Sequence, residues 1–196
     1  MHLVFDIFQG IGVAAAVGIR PFLPALAVGA LAAGDVELHF DHTHFAFLQS
    51  APFLLGMAVG AIVIALAERR LGAERVKGKP FRLLLASLGL ALGALLFAGA
   101  LCRGGYVTWP GIIGGALCAA VGAAATGPLL ARVRARLDAS AAGMLPALAE
   151  GAALLVAVLS VLAPPVGPIA LALLLWLLWG GRRRDDQKYA GLRILR

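Results

Sequence analysis

The chain has 196 residues, 61% of them apolar and 14% charged, with a mean hydropathy of +0.93 and a formal net charge of +7. Soluble domains are about 45–50% apolar and about 25% charged, so a cytosolic globule of this composition could not hide its apolar surface. The same figures exclude intrinsic disorder and define an integral membrane protein.

A bilayer core about 30 Å thick takes roughly 20 residues of helix at about 1.5 Å each. In chain order the apolar runs are 7–33, 45–67, 83–101, 112–131, 141–162 and 166–180, which predicts six transmembrane helices. The first run is long and is interrupted by Arg20-Pro21 and Pro24. The last is short and follows Ala163-Pro164-Pro165, where paired prolines force a turn. Five spans with a re-entrant sixth segment is the alternative. No stretch alternates as a barrel strand must, so the expected class is all-α. The start of the chain is not basic and leads straight into a long span, which argues against a secretory signal peptide.

Charge orients the spans. Arg69, Arg70, Arg75, Lys77, Lys79 and Arg82 surround the loop after the second span. Arg132, Arg134 and Arg136 follow the fourth. Arg182, Arg183, Arg184, Lys188, Arg193 and Arg196 fill the tail, so only Arg20 and Arg103 lie elsewhere. With six spans these three clusters share one side, which the positive-inside rule makes cytoplasmic, and both termini are expected there. The net charge thus reflects topology, and its expected partners are the bilayer and the anionic lipid headgroups of the cytoplasmic face rather than nucleic acid. Tyr106 and Trp109 mark the outer interface, and Trp176 and Trp179 the inner one.

The chain reads as a single transmembrane domain with two three-helix halves, residues 1–102 and 103–181, and a basic tail, 182–196. Ala15-Ala16-Val17-Gly18, followed by Pro21, has a counterpart in Ala119-Ala120-Val121-Gly122, followed by Pro128. Three spans per unit would make this a 3+3 inverted repeat with a broken first helix, an arrangement common in transporters. Shared Ala/Gly composition is the other explanation. Small-xxx-small pairs (Gly56/Gly60, Gly89/Gly93 and Gly111/Gly115) fit either a tight bundle or a homo-oligomer. By helix rise Cys102 and Cys118 stand roughly 12 Å or more apart in depth, too far for a disulfide.

Two ionisable residues fall deep inside the spans, Arg20 and Glu150. A charge there costs at least about 2.5–3.5 kcal/mol on insertion scales, so each needs a partner or water. Arg20 is roughly 20 Å from the cytoplasmic start of its span and Glu150 roughly 14–18 Å from that of its own, so the two are expected to pair near the midplane. Arg20 sits in Gly18-Ile19-Arg20-Pro21-Phe22-Leu23-Pro24, where two prolines and a glycine should break the helix. Broken backbone at that depth is tolerated against protein or a wet cavity. A guanidinium there suits an anionic group through its planar fork, or it simply neutralises Glu150. Thr126, beside Gly127-Pro128, marks the weak point of the fourth span, as a cap for freed carbonyls or as part of a pathway. The expected solute or ion pathway is therefore Gly18, Arg20, Pro21, Thr126 and Glu150, with Glu150 able to release or accept a proton. Glu68 reads as a surface partner for Arg69 and Arg70.

The outer loop holds His39, Asp41, His42 and His44, a set that could bind a transition metal such as Zn²⁺. Its spacing fits no zinc motif, and a solvated loop is the simpler reading. No nucleophile elbow, zincin helix or P-loop occurs, so no enzymatic activity and no cofactor are expected.

Gly18–Pro24, the apolar run closing at Glu68, the 134–140 connection, Glu150 and the tail 188–196 together resemble an uncharacterised bacterial integral-membrane family catalogued as domain of unknown function 4126. The resemblance runs through nearly the whole chain and implies a place in the bacterial cytoplasmic (inner) membrane. Departures are Arg69-Arg70-Leu71, where an Asp-Lys-Pro-like element is expected, and Gly151, where a second acidic residue is expected. The family supplies no activity. The resulting expectation is a small transporter or channel of unknown solute, the alternative being a non-transporting scaffold or assembly factor that binds lipid or a partner.

Overall fold

The structure, a computed structural model, describes residues 2–36, 40, 43–70 and 79–190. It is all-helical. The helices are α1 (His2–Ile19), α2 (Phe22–Ala33), α3 (Ala51–Arg70), α4 (Lys79–Arg103), α5 (Trp109–Arg134), α6 (Ala139–Leu162) and α7 (Val166–Ala190), with a short 3-10 turn at Ala46–Gln49. Among the described residues, four stretches are long and apolar enough to cross a membrane: Ala51–Glu68, Leu83–Arg103, Trp109–Arg134 and Ala141–Leu162. Leu3–Ile19, Phe22–Ala33 and Val166–Gly180 are shorter apolar helices.

The expected single crossing over 7–33 is two helices. Proline at 21 has no amide hydrogen and disfavours helix at the residue before it, so α1 ends at Ile19. Pro24 is harmless in the first turn of α2, where amides lack intrahelical partners anyway. The direction of each helix follows from its contacts. Along α1, Asp6 meets Arg103, Gly10 meets Phe97 and Ala14 meets Gly93, so α1 and α4 are antiparallel. Along α2, Phe22 packs on Gly60 and Gly29 on Leu54, so α2 runs against α3. Because the last turn of α3 meets Arg20, α2 turns back the way α1 came.

Helices α1, α3, α5 and α7 thus run one way and α2, α4 and α6 the other. One end of the bundle, the Arg20 end, gathers Glu68 and Arg132 to Arg136. The other, the Arg103 end, holds Asp6, Phe40 and the 104–108 turn. The start of α1 therefore lies opposite the end of α7, where one uninterrupted first span would have put the two together. Trp109 and Trp176, both well exposed, sit at opposite ends as the aromatic belts require.

Helix α1 is the axle. It packs against α4, α5, α6 and α7, and Ala14, Ala15, Ala16 and Val17 are wholly buried. Small residues make this possible. A Cβ on Gly18 would strike the backbone of Ala119, and one on Gly122 would strike that of Ala15, while Gly93 and Gly115 meet backbone to backbone. The two segments that suggested a repeat are therefore in reciprocal contact on α1 and α5. Those helices run parallel, whereas units related by an axis in the membrane plane must present equivalent helices antiparallel. The segments on which the inverted repeat rested do not stand in that relation, because the break at Arg20-Pro21 inserts one extra reversal.

The α4–α5 connection closes with the amide of Gly105 donating to the Cys102 carbonyl and that of Tyr106 to the Leu101 carbonyl. Gly105, at φ +75°, supplies the left-handed residue this helix stop needs. Outward-facing leucines, isoleucines and valines on α3, α5, α6 and α7 are exposed, the surface a bilayer would cover.

Candidate functional site

The break between α1 and α2 sets Arg20 at the bundle's Arg20 end, facing α3, α4, α5 and α6. Its Nη1 donates to Glu68 Oε1 at 2.8 Å, with 15% and 22% of the two side chains exposed. The expected Arg20–Glu150 pair is thus not the contact formed, and Glu68 is a partner across the bundle. Helix rise explains the difference. Glu150 lies about 16 Å along α6 from its start, while Glu68 ends α3 at the level where α1 stops.

Glu150 nevertheless belongs to the same site. A partly open cavity of about 560 Å³ lies between the α1–α2 break and helices α3 to α6. Gly18, Arg20, Pro21, Thr126 and Glu150 all line it, with apolar walls from Ile64, Leu83 and Leu130. Arg20 attracts the Glu150 carboxylate and Glu68 repels it, so both lie within electrostatic reach. Among the described residues, the carboxylate makes no hydrogen bond or ion pair. The Thr126 hydroxyl donates to the Gly122 carbonyl at 2.7 Å, the capping role, while its residue still lines the cavity. Among the described residues, the cavity is lined by the Arg20 guanidinium and the Glu150 carboxylate, and the Glu68 carboxylate sits on Arg20. Arg20 is engaged by Glu68, and among the described residues no cation forms an ion pair with Glu150.

A second polar cluster forms at the Arg103 end, where Asp6 stands just ahead of the first apolar run. Arg103 Nη2 donates to Asp6 Oδ1 and, at 3.4 Å, to Gln9 Oε1, while Gln9 Nε2 donates to the Val161 carbonyl at 3.2 Å. Asp6 and Gln9 are each 3% exposed. The signal was present: they stand three residues apart, on one helix face. This cluster ties α1 to α4 and α6 at the Arg103 end.

Of the loop residues expected as metal ligands, His39, Asp41 and His42 lie outside the described residues. His44 is exposed, and no group of three or more metal-ligating side chains occurs among the described residues. The adjoining turn is held otherwise: Gln49 Oε1 accepts from the Phe40 amide at 2.8 Å and Thr43 Oγ1 donates to the Phe40 carbonyl at 2.7 Å, with Phe40 fully buried.

By helix length and hydropathy, then, the fold defines a multi-span membrane protein with a charged cavity at one end. No family model, curated protein or solved structure matches the chain.

Proposed function

We propose that the chain is a small, non-enzymatic transporter or channel of a bacterial cytoplasmic membrane, with the Arg20 end facing the cytoplasm by the positive-inside rule. The carrying observation is the cavity itself: it brings together a broken helix, a guanidinium and a carboxylate that is unpaired among the described residues. Membership of the family that Gly18–Pro24 resembles is part of this proposal.

The charge balance favours a small cation, or a proton carried by Glu150, over the anion that an unpaired Arg20 would suit. Glu150 is the residue that exchanges partners, because Arg20 is already held. The test is flux of Na⁺, K⁺ and protons in proteoliposomes. The reading expects at least one of these probes to cross faster than in protein-free vesicles, and Glu150→Gln to abolish the difference. Equal rates for all three with and without protein would reject it.

A scaffold role is favoured by one different observation: ion pairs tie α1 into the bundle at both ends. It predicts no flux for any probe.

A further inference from the structure

Away from this cavity, a groove of about 310 Å³ runs between α5 and α7 at the Arg20 end. Arg132, in the last turn of α5, and Arg136, in the turn just past its end, line it, with Leu129 beside them and Trp176 and Leu177 opposite on α7. Arg132 Nε donates to the Pro128 carbonyl at 3.2 Å, which anchors its stem along α5. Among the described residues, neither its terminal nitrogens nor the Arg136 guanidinium makes a hydrogen bond or ion pair, and no carboxylate lines the groove. Trp176 is 69% exposed, at the level where aromatic residues meet headgroups.

We propose that this groove binds one anionic phospholipid, its phosphate held by Arg132 and Arg136 and an acyl chain laid along Leu129 and Leu177. Charge complementarity selects the headgroup. Two planar guanidiniums with free donors suit phosphate oxygens, and a zwitterionic lipid would bring its own cation beside them. The apolar wall selects a lipid over a soluble phosphate, which would leave that wall uncovered. The site stands whether or not the protein transports a solute.

The test is native mass spectrometry of the detergent-purified full chain titrated with phosphatidylglycerol, phosphatidylcholine or glycerol 3-phosphate. Tight binding of one phosphatidylglycerol is expected, with weak phosphatidylcholine binding and no displacement by glycerol 3-phosphate. Each arginine near a membrane surface contributes about five-fold, so Arg132→Gln with Arg136→Gln should weaken phosphatidylglycerol about 30-fold. Arg70→Gln with Arg134→Gln, which removes the same charge from residues that do not line the groove, should change it less than three-fold. Should the double groove variant fail to assemble, Arg136→Gln alone carries the test, with about a five-fold loss expected. Equal binding of the two lipids, unchanged affinity in the groove variants, an equal loss in the Arg70 and Arg134 variant, or displacement by glycerol 3-phosphate would each overturn the proposal.

Discussion

Arg20 and Glu68, 48 positions apart in the chain, join the end of α1 to the end of α3 through a 2.8 Å ion pair, and among the described residues this leaves Glu150 as the unpaired charge of the cavity. Breaking the pair should destabilise the bundle. Both side chains keep some exposure, so Arg20→Gln or Glu68→Gln should cost about 1–3 kcal/mol, less than the loss of a fully buried pair. The exchange Arg20→Glu with Glu68→Arg should recover at least half of that, as read by thermal unfolding in detergent. Additive losses in the exchanged variant would show that the pair is not coupled.

At the opposite end the expected effect is larger. Asp6 is almost wholly buried and holds Arg103, so Asp6→Asn should cost about 3–5 kcal/mol by breaking a largely buried ion pair. Replacing both as Asp6→Asn with Arg103→Gln should cost less than the sum of the two single changes, Asp6→Asn and Arg103→Gln. Chemical unfolding of the three variants in parallel decides this.

Glycines separate into two groups. Gly18→Ala and Gly122→Ala put a methyl group into the backbone of the facing helix and should each destabilise by about 1–3 kcal/mol. Gly56→Ala and Gly151→Ala meet nothing within 4 Å and should be neutral or stabilising by up to about 1 kcal/mol, because alanine is the better helix former. The same unfolding assay ranks them, and an equal ranking would contradict the α1–α5 crossing.

The class of the protein and the membership of the cavity were legible in the sequence for physical reasons. Composition exposes helices that only a bilayer can cover, and Gly18, Arg20, Pro21, Thr126 and Glu150 were each costly or helix-breaking in an apolar run. The pairings were not legible. Depth along a helix places Arg20 and Glu150 at similar levels but says nothing of which helices touch, and Glu68 looked satisfied by its own neighbours. Direction was misread at one point: prolines 21 and 24 announce a break, yet a break can kink a span or reverse it, and only contacts such as Phe22 with Gly60 distinguish the two.

That reversal predicts a topology. Single cysteines at Leu3 and Ala135, in a chain with Cys102→Ala and Cys118→Ala, should react with an impermeant maleimide from opposite sides of the membrane. Labelling of both from one side would restore a single crossing for residues 7–33.

The most direct measurement is thiol accessibility of Thr126→Cys in that same background, using methanethiosulfonates of opposite charge. A water-filled cavity with Glu150 as its unpaired charge predicts reaction from the Arg20 side only, faster with the cationic reagent than the anionic one. Glu150→Gln should remove the preference. No reaction from either side, or equal rates that Glu150→Gln leaves unchanged, would contradict it.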